Sequence, residues 1–127
     1  MNLKAILPTY AERKYTPRIT FYKDGYLGIS NEAQERFNFK EGNRILLLQD
    51  SSNPQQFYIK VYKGEGTFPV LKKRKNGMLK CGYTSAFSLI AELFISGKGV
   101  SYSFDILPAV NTEYGITHPL EYRKEGA

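Results

Sequence analysis

The sequence predicts an α+β protein: a β-rich, barrel-like single domain over residues 1–127, built from two ββαβ units with one short helix each. Three observations predict it. Lys23-Asp24-Gly25-Tyr26-Leu27 and Lys75-Asn76-Gly77-Met78-Leu79 share the pattern Lys-(Asp/Asn)-Gly-x-Leu, 52 residues apart, and Asp-Gly or Asn-Gly between β-prone runs marks a tight hairpin turn. Each copy is followed by a polar capping residue, a short helical stretch, a glycine and a new strand, which begins at Ile45 after Gly42 and at Val100 after Gly97. With 127 residues, 42% hydrophobic and 24% charged, two such units have chain enough to bury a shared core without disulfides or metal.

Taken in order, residues 1–17 hold Pro8 and Pro17 without a sustained period and read as an N-terminal arm. The first unit spans 18–62. Arg18 to Lys23 and Tyr26 to Ser30 form its hairpin, and Asn31, with Gln34 at the capping-box spacing, caps a helix from Glu32 to Phe39. Arg44 to Gln49 reads as a buried strand, Asp50 to Gln56 as a polar loop, and Phe57 to Tyr62 as an alternating strand. The second unit spans 67–107. Phe68 to Arg74 and Met78 to Cys81 make its hairpin, Thr84 caps a helix from Ser85 to Ile95, and Val100 to Ile106 alternates with the period of a half-buried strand. Residues 108–127 show no period and read as a C-terminal tail. The second helix is apolar nearly all round, which admits two readings: a core helix, or the seam of a homodimer through Ser85–Ile95.

Lys and Arg number 18 against 12 Asp and Glu, a net charge of +6. The densest run is Lys72-Lys73-Arg74-Lys75, with Lys80 close behind. Such a patch attracts phosphate; a lysine-rich edge also keeps sheets from pairing with one another, and either use accounts for it.

Asp24-Gly25-Tyr26-Leu27-Gly28-Ile29-Ser30, followed by Glu32-Ala33 and by Phe37-Asn38-Phe39-Lys40-Glu41-Gly42-Asn43, resembles the swapped-hairpin DNA-binding family of AbrB, SpoVT and MraZ type. The resemblance covers residues 18–62, and the second half only by its order of elements. It implies a β-rich barrel, assembly into dimers or larger rings, and binding of double-stranded DNA by a basic hairpin face. Three positions depart from the family pattern: Tyr26 stands where the family has arginine, Ser30 where it has proline, and Gln34-Glu35 where its helices carry arginines. Contact with nucleic acid then falls to Lys72, Lys73, Arg74, Lys75 and Lys80, helped by Arg13, Lys14, Arg18 and Lys23.

No enzyme is expected. His118 is the single histidine and Cys81 the single cysteine, so a His-based triad or metal cluster has too few members; Asp24, Asp50 and Asp105 are scattered among turn and strand contexts, and neither a cofactor nor a metal is expected. Cys81 reads as a small core residue. Gly64-x-Gly66 and Gly97-x-Gly99 lack the rest of a phosphate-cradling motif. The longest apolar runs, such as Ile45 to Leu48, are far too short to span a bilayer or serve as a secretory signal, so a cytoplasmic protein with no membrane partner is expected. The function expected is that of a nucleic-acid-binding transcriptional regulator. Two alternatives remain beside it: a structural or protein-interaction module of phage or mobile-element type that leaves DNA alone, and a sheet surface whose tyrosines, Tyr22 and Tyr58 among them, stack single-stranded bases.

Overall fold

Arg18–Tyr22 (β1) and Tyr26–Ile29 (β2) form the first hairpin, closed by Gly25 at φ +90° and by Asp24 Oδ1, which accepts from the Tyr26 N–H at 3.1 Å. The structure, a computed structural model, describes residues 16–94 and 101–123; the expected arm, with Arg13 and Lys14, lies almost wholly outside them. Helix α1 (Asn31–Phe37) follows at once. Its cap is Ser30, one residue earlier than expected, with Oγ accepting from the Ala33 N–H at 3.4 Å, and Asn38 ends it in the left-handed region at φ 59°.

Arg44–Asp50 (β3) and Asn53–Tyr62 (β4) pair antiparallel from Arg44–Tyr62 to Gln49–Phe57; the register then shifts to Asp50–Asn53, leaving Pro54 to Gln56 as a bulge. The expected loop between them shrinks to a tight turn. Asp50 Oδ1 accepts from both the Ser52 N–H and hydroxyl, and these bonds hold the Asp50 carboxyl below its ordinary value.

The second hairpin joins Lys72–Lys73 (β5) to Leu79–Gly82 (β6) through Gly77 at φ +86°, with Asn76 Oδ1 accepting from the Met78 N–H at 3.1 Å. Its first strand is shorter than the expected Phe68 to Arg74. Pro69 to Leu71 turn instead toward β3: Ile45 N–H donates to the Pro69 carbonyl at 3.0 Å and Leu71 N–H to the Asn43 carbonyl at 2.8 Å. Helix α2 (Thr84–Leu93) begins at Thr84, the residue expected to cap it; Tyr83 holds the cap position without a side-chain bond. Ile95 lies outside the described residues. Among the described residues no helix is long and apolar enough to cross a membrane.

Ser101–Ile106 (β7) is the expected alternating strand, with Tyr102, Phe104 and Ile106 turned inward. The expected tail is not one. Val110–Thr112 (β8) and Gly115–Tyr122 (β9) form a further hairpin, and β9 lies between β4 and β7 in the sheet, burying Thr117, His118 and Leu120. Three buried residues on a strand supply a physical reason to hold a segment that shows no sequence period. The second half of the chain therefore runs on past residue 107.

The strands follow the order β3-β4-β9-β7-β1-β2-β6-β5, with β8 attached to β9, and every neighbouring pair is antiparallel. Because Pro69 to Leu71 lead into β5 and bond to the start of β3, the two ends of the sheet meet. The inside is apolar. Phe21, Phe57 and Phe104 are fully buried, with Phe104 meeting Phe21 edge-on at 5.8 Å and Phe94 edge-on at 5.4 Å. From α2 the core takes Ala86 and Ile90, while Phe87, Leu89 and Leu93 are half-buried against it. Cys81 is buried, as its strand position implied.

Candidate nucleic-acid interface

The pairing of β2 with β6 decides where the basic residues go. Leu27 faces Cys81 and Gly28 faces Lys80 in this ladder, so Leu27, Ile29, Leu79 and Cys81 turn into the core while Tyr26, Gly28, Lys80 and Gly82 turn out. Being antiparallel, the ladder puts the two hairpin turns at its opposite ends. Each turn then receives the start of a helix from the other half of the chain. Tyr83 N–H donates to the Gly25 carbonyl at 2.8 Å, and Gln34 Nε2 donates to the Gly77 carbonyl at 2.9 Å.

An open groove of about 620 Å³ runs along the outside from one turn to the other. Asp24 and Tyr26 bound one end, Arg74, Lys75 and Asn76 the other, and Lys80 lies between them. Lys72 stands directly opposite Lys80 in the β5–β6 ladder, so two ammonium groups share the same outward face. Like charges so placed repel and cost stability. None of Lys72, Lys73, Arg74, Lys75 or Lys80 has a carboxylate within 4.0 Å among the described residues.

The expected cations do not all converge. Lys73 pairs with Leu79, which is buried, and so points away from Lys72; its side chain borders a separate depression with Glu35 and Lys40, and its N–H donates to Glu41 Oε2 at 2.7 Å. Lys23 is exposed in the first turn beside Asp24. Arg18 lies on the outer face of β1 and lines a second hollow that shares Asn76 with the groove. Arg13 and Lys14 are outside the described residues. Asp24 and Glu32 are the acidic side chains that line the groove and the hollow; Asp105, which pairs with Arg123 at 3.4 Å, and Glu121 opposite it lie on the same side of the sheet.

Three residues of this face carried no signal as site residues. Gly28 leaves the middle of the ladder bare, and there the Tyr22 ring and the Met78 methyl close in, so that a Cβ at position 28 would sit 3.3 Å from Tyr22 Cε2 and 2.9 Å from Met78 Cε. Asn31 and Asn76 announce a helix start and a turn, and their side chains also line the hollow. Lys80 places its ammonium 5.1 Å from the centre of the Tyr22 ring. Compared with protein-family models, with curated proteins and with solved structures, the chain matches none.

Proposed function

We propose that the chain binds nucleic acid along the outer face of β1, β2, β6 and β5, drawn mainly by phosphate charge, and acts as a small regulator rather than an enzyme. The observation that carries this reading is the register pair Lys72–Lys80. Two lysines held opposite each other, with Arg74 and Lys75 lining the same groove as Lys80, raise a local positive potential that no ion pair offsets among the described residues. An anion laid along the groove relieves that repulsion. A phosphate chain suits it better than a single anion, because the cations are strung from one turn toward the other. Lysine outnumbers arginine here, so contacts fix position more than they read sequence.

The order of elements supports a duplicated architecture beneath this face. In our reading β1-β2-α1-β3-β4 and β5-β6-α2-β7-β9 are two like-built units, and β2 with β6, and β4 with β9, are matching strands lying side by side. On that reading the second unit kept or gained the cations, while the first carries Tyr26, Gln34 and Glu35 where the resembled family carries arginines.

Fluorescence anisotropy against salt tests the proposal. Four phosphate contacts from Lys72, Arg74, Lys75 and Lys80 give a log–log slope of about −3.6 on duplex DNA and about −2.8 on a single strand. Replacing all four by glutamine removes most of that slope. A salt-independent titration, or one unchanged in the fourfold variant, overturns the proposal.

A further inference from the structure

The groove adjoins a hollow of about 440 Å³ whose chemistry is different. Resting on the reading above, we infer that this hollow takes an unpaired nucleobase, so that the face selects single-stranded nucleic acid. Tyr22 supplies the platform. The missing side chain at Gly28 lets its ring lie low across the sheet, with the Met78 thioether beside it. The ring is half-buried and lines the hollow, and the Lys80 ammonium lies over it, 5.1 Å from its centre. A stacked base holds such a ring more strongly than a cation over it does, so a base displaces the ammonium and frees it for the neighbouring phosphate.

The rim suits a base edge. Asn31 Oδ1 accepts from Gln34 Nε2 at 3.3 Å and Asn76 Oδ1 from the Met78 N–H at 3.1 Å, which leaves both Nδ2 amides as donors among the described residues. Glu32, also on the rim, repels phosphate and accepts from amino or imino groups of a base. Base and phosphate are thus sorted: the base to the hollow of Tyr22, Met78 and the two asparagines, the backbone to Lys80, Arg74 and Lys75. A base held in a duplex is stacked on both sides and cannot enter such a hollow.

The test is anisotropy with a labelled oligothymidylate dodecamer and a duplex of equal length, at about 0.1 M salt. Oligothymidylate binds more tightly than the duplex. Tyr22→Leu and Gly28→Val, the latter pushing the ring off its seat, each weaken the single strand about five-fold or more without changing the salt slope, whereas Tyr22→Trp retains binding. Circular dichroism and thermal melting certify that the variants fold, and Met78→Ala offers a milder disturbance of the same seat. Single-strand affinity indifferent to Tyr22→Leu and Met78→Ala, with the slope intact, overturns the base site and leaves the phosphate reading standing. Absence of binding to either form overturns both.

Discussion

His118 Nδ1 donates to the Leu107 carbonyl at 2.9 Å, next to a backbone bond of the same length in which the Leu107 N–H donates to the Pro119 carbonyl. In an antiparallel ladder the second bond of this pair would run from the N–H of residue 119 to the Leu107 carbonyl, and proline has no N–H. The imidazole fills that place. This is how an interior strand tolerates a proline. The ring is held there by Phe37, 4.3 Å away centre to centre, and by Phe39, edge-on at 5.3 Å.

Replacing His118 by phenylalanine therefore leaves a half-buried carbonyl unanswered and costs about 1–3 kcal/mol. Pro119→Val restores an N–H in the ladder. The double variant His118→Phe with Pro119→Val recovers much of the loss, and a double-mutant cycle by urea denaturation measures the coupling.

At the opposite turn, Gly25 has φ +90° and lies against the start of α2, so that a Cβ there would come 2.7 Å from Thr84 Oγ1. Gly25→Ala combines backbone strain with a clash and destabilises by about 1–3 kcal/mol. Gly42, with φ +91° and nothing within 4 Å, meets only the strain. Gly42→Ala thus costs less than Gly25→Ala in parallel thermal melts.

Truncation after Leu107 removes β8 and β9. The loss strips β4 and β7 of a shared neighbour and exposes Phe57 and Phe104, both fully buried in the whole chain. The truncated protein gives no cooperative unfolding transition and binds a hydrophobic dye.

Burial pushes the Cys81 thiol up from 9.0 to about 12. The folded state holds the neutral form more tightly than the unfolded chain does. Its contribution to stability is therefore complete below pH about 9 and is lost as the pH climbs from there toward about 12. At pH about 8 a thiol reagent labels the native protein slowly and the urea-unfolded protein at once.

What the sequence disclosed was local. Asp24-Gly25 and Asn76-Gly77 each specify a turn by their own chemistry, and both turns are where the residues put them, with positive φ at each glycine. Strand β7 was legible because apolar residues alternate through it. Strand β9 was not, since Thr117 and His118 are buried while Ile116 is 64% exposed, an inversion that only its neighbours explain. The basic run misled in one respect. Adjacent residues on a strand face opposite ways, so Lys72 shares the outward face of Lys80 and Lys73 does not. The Tyr22 seat depends on the β1–β2–β6 pairing, a relation between segments far apart in the chain that no local pattern carries.

Around the sheet the chain's early and late strands come in alternating couples: β3 and β4, then β9 and β7, then β1 and β2, then β6 and β5. Residues 63–68, which link the early set to the late one, are exposed. A protease cut there breaks no rung of the sheet, yet neither fragment retains a surface it can close by itself. The two pieces behave as obligate companions, staying joined after cleavage and, if made separately, acquiring shape only in each other's presence.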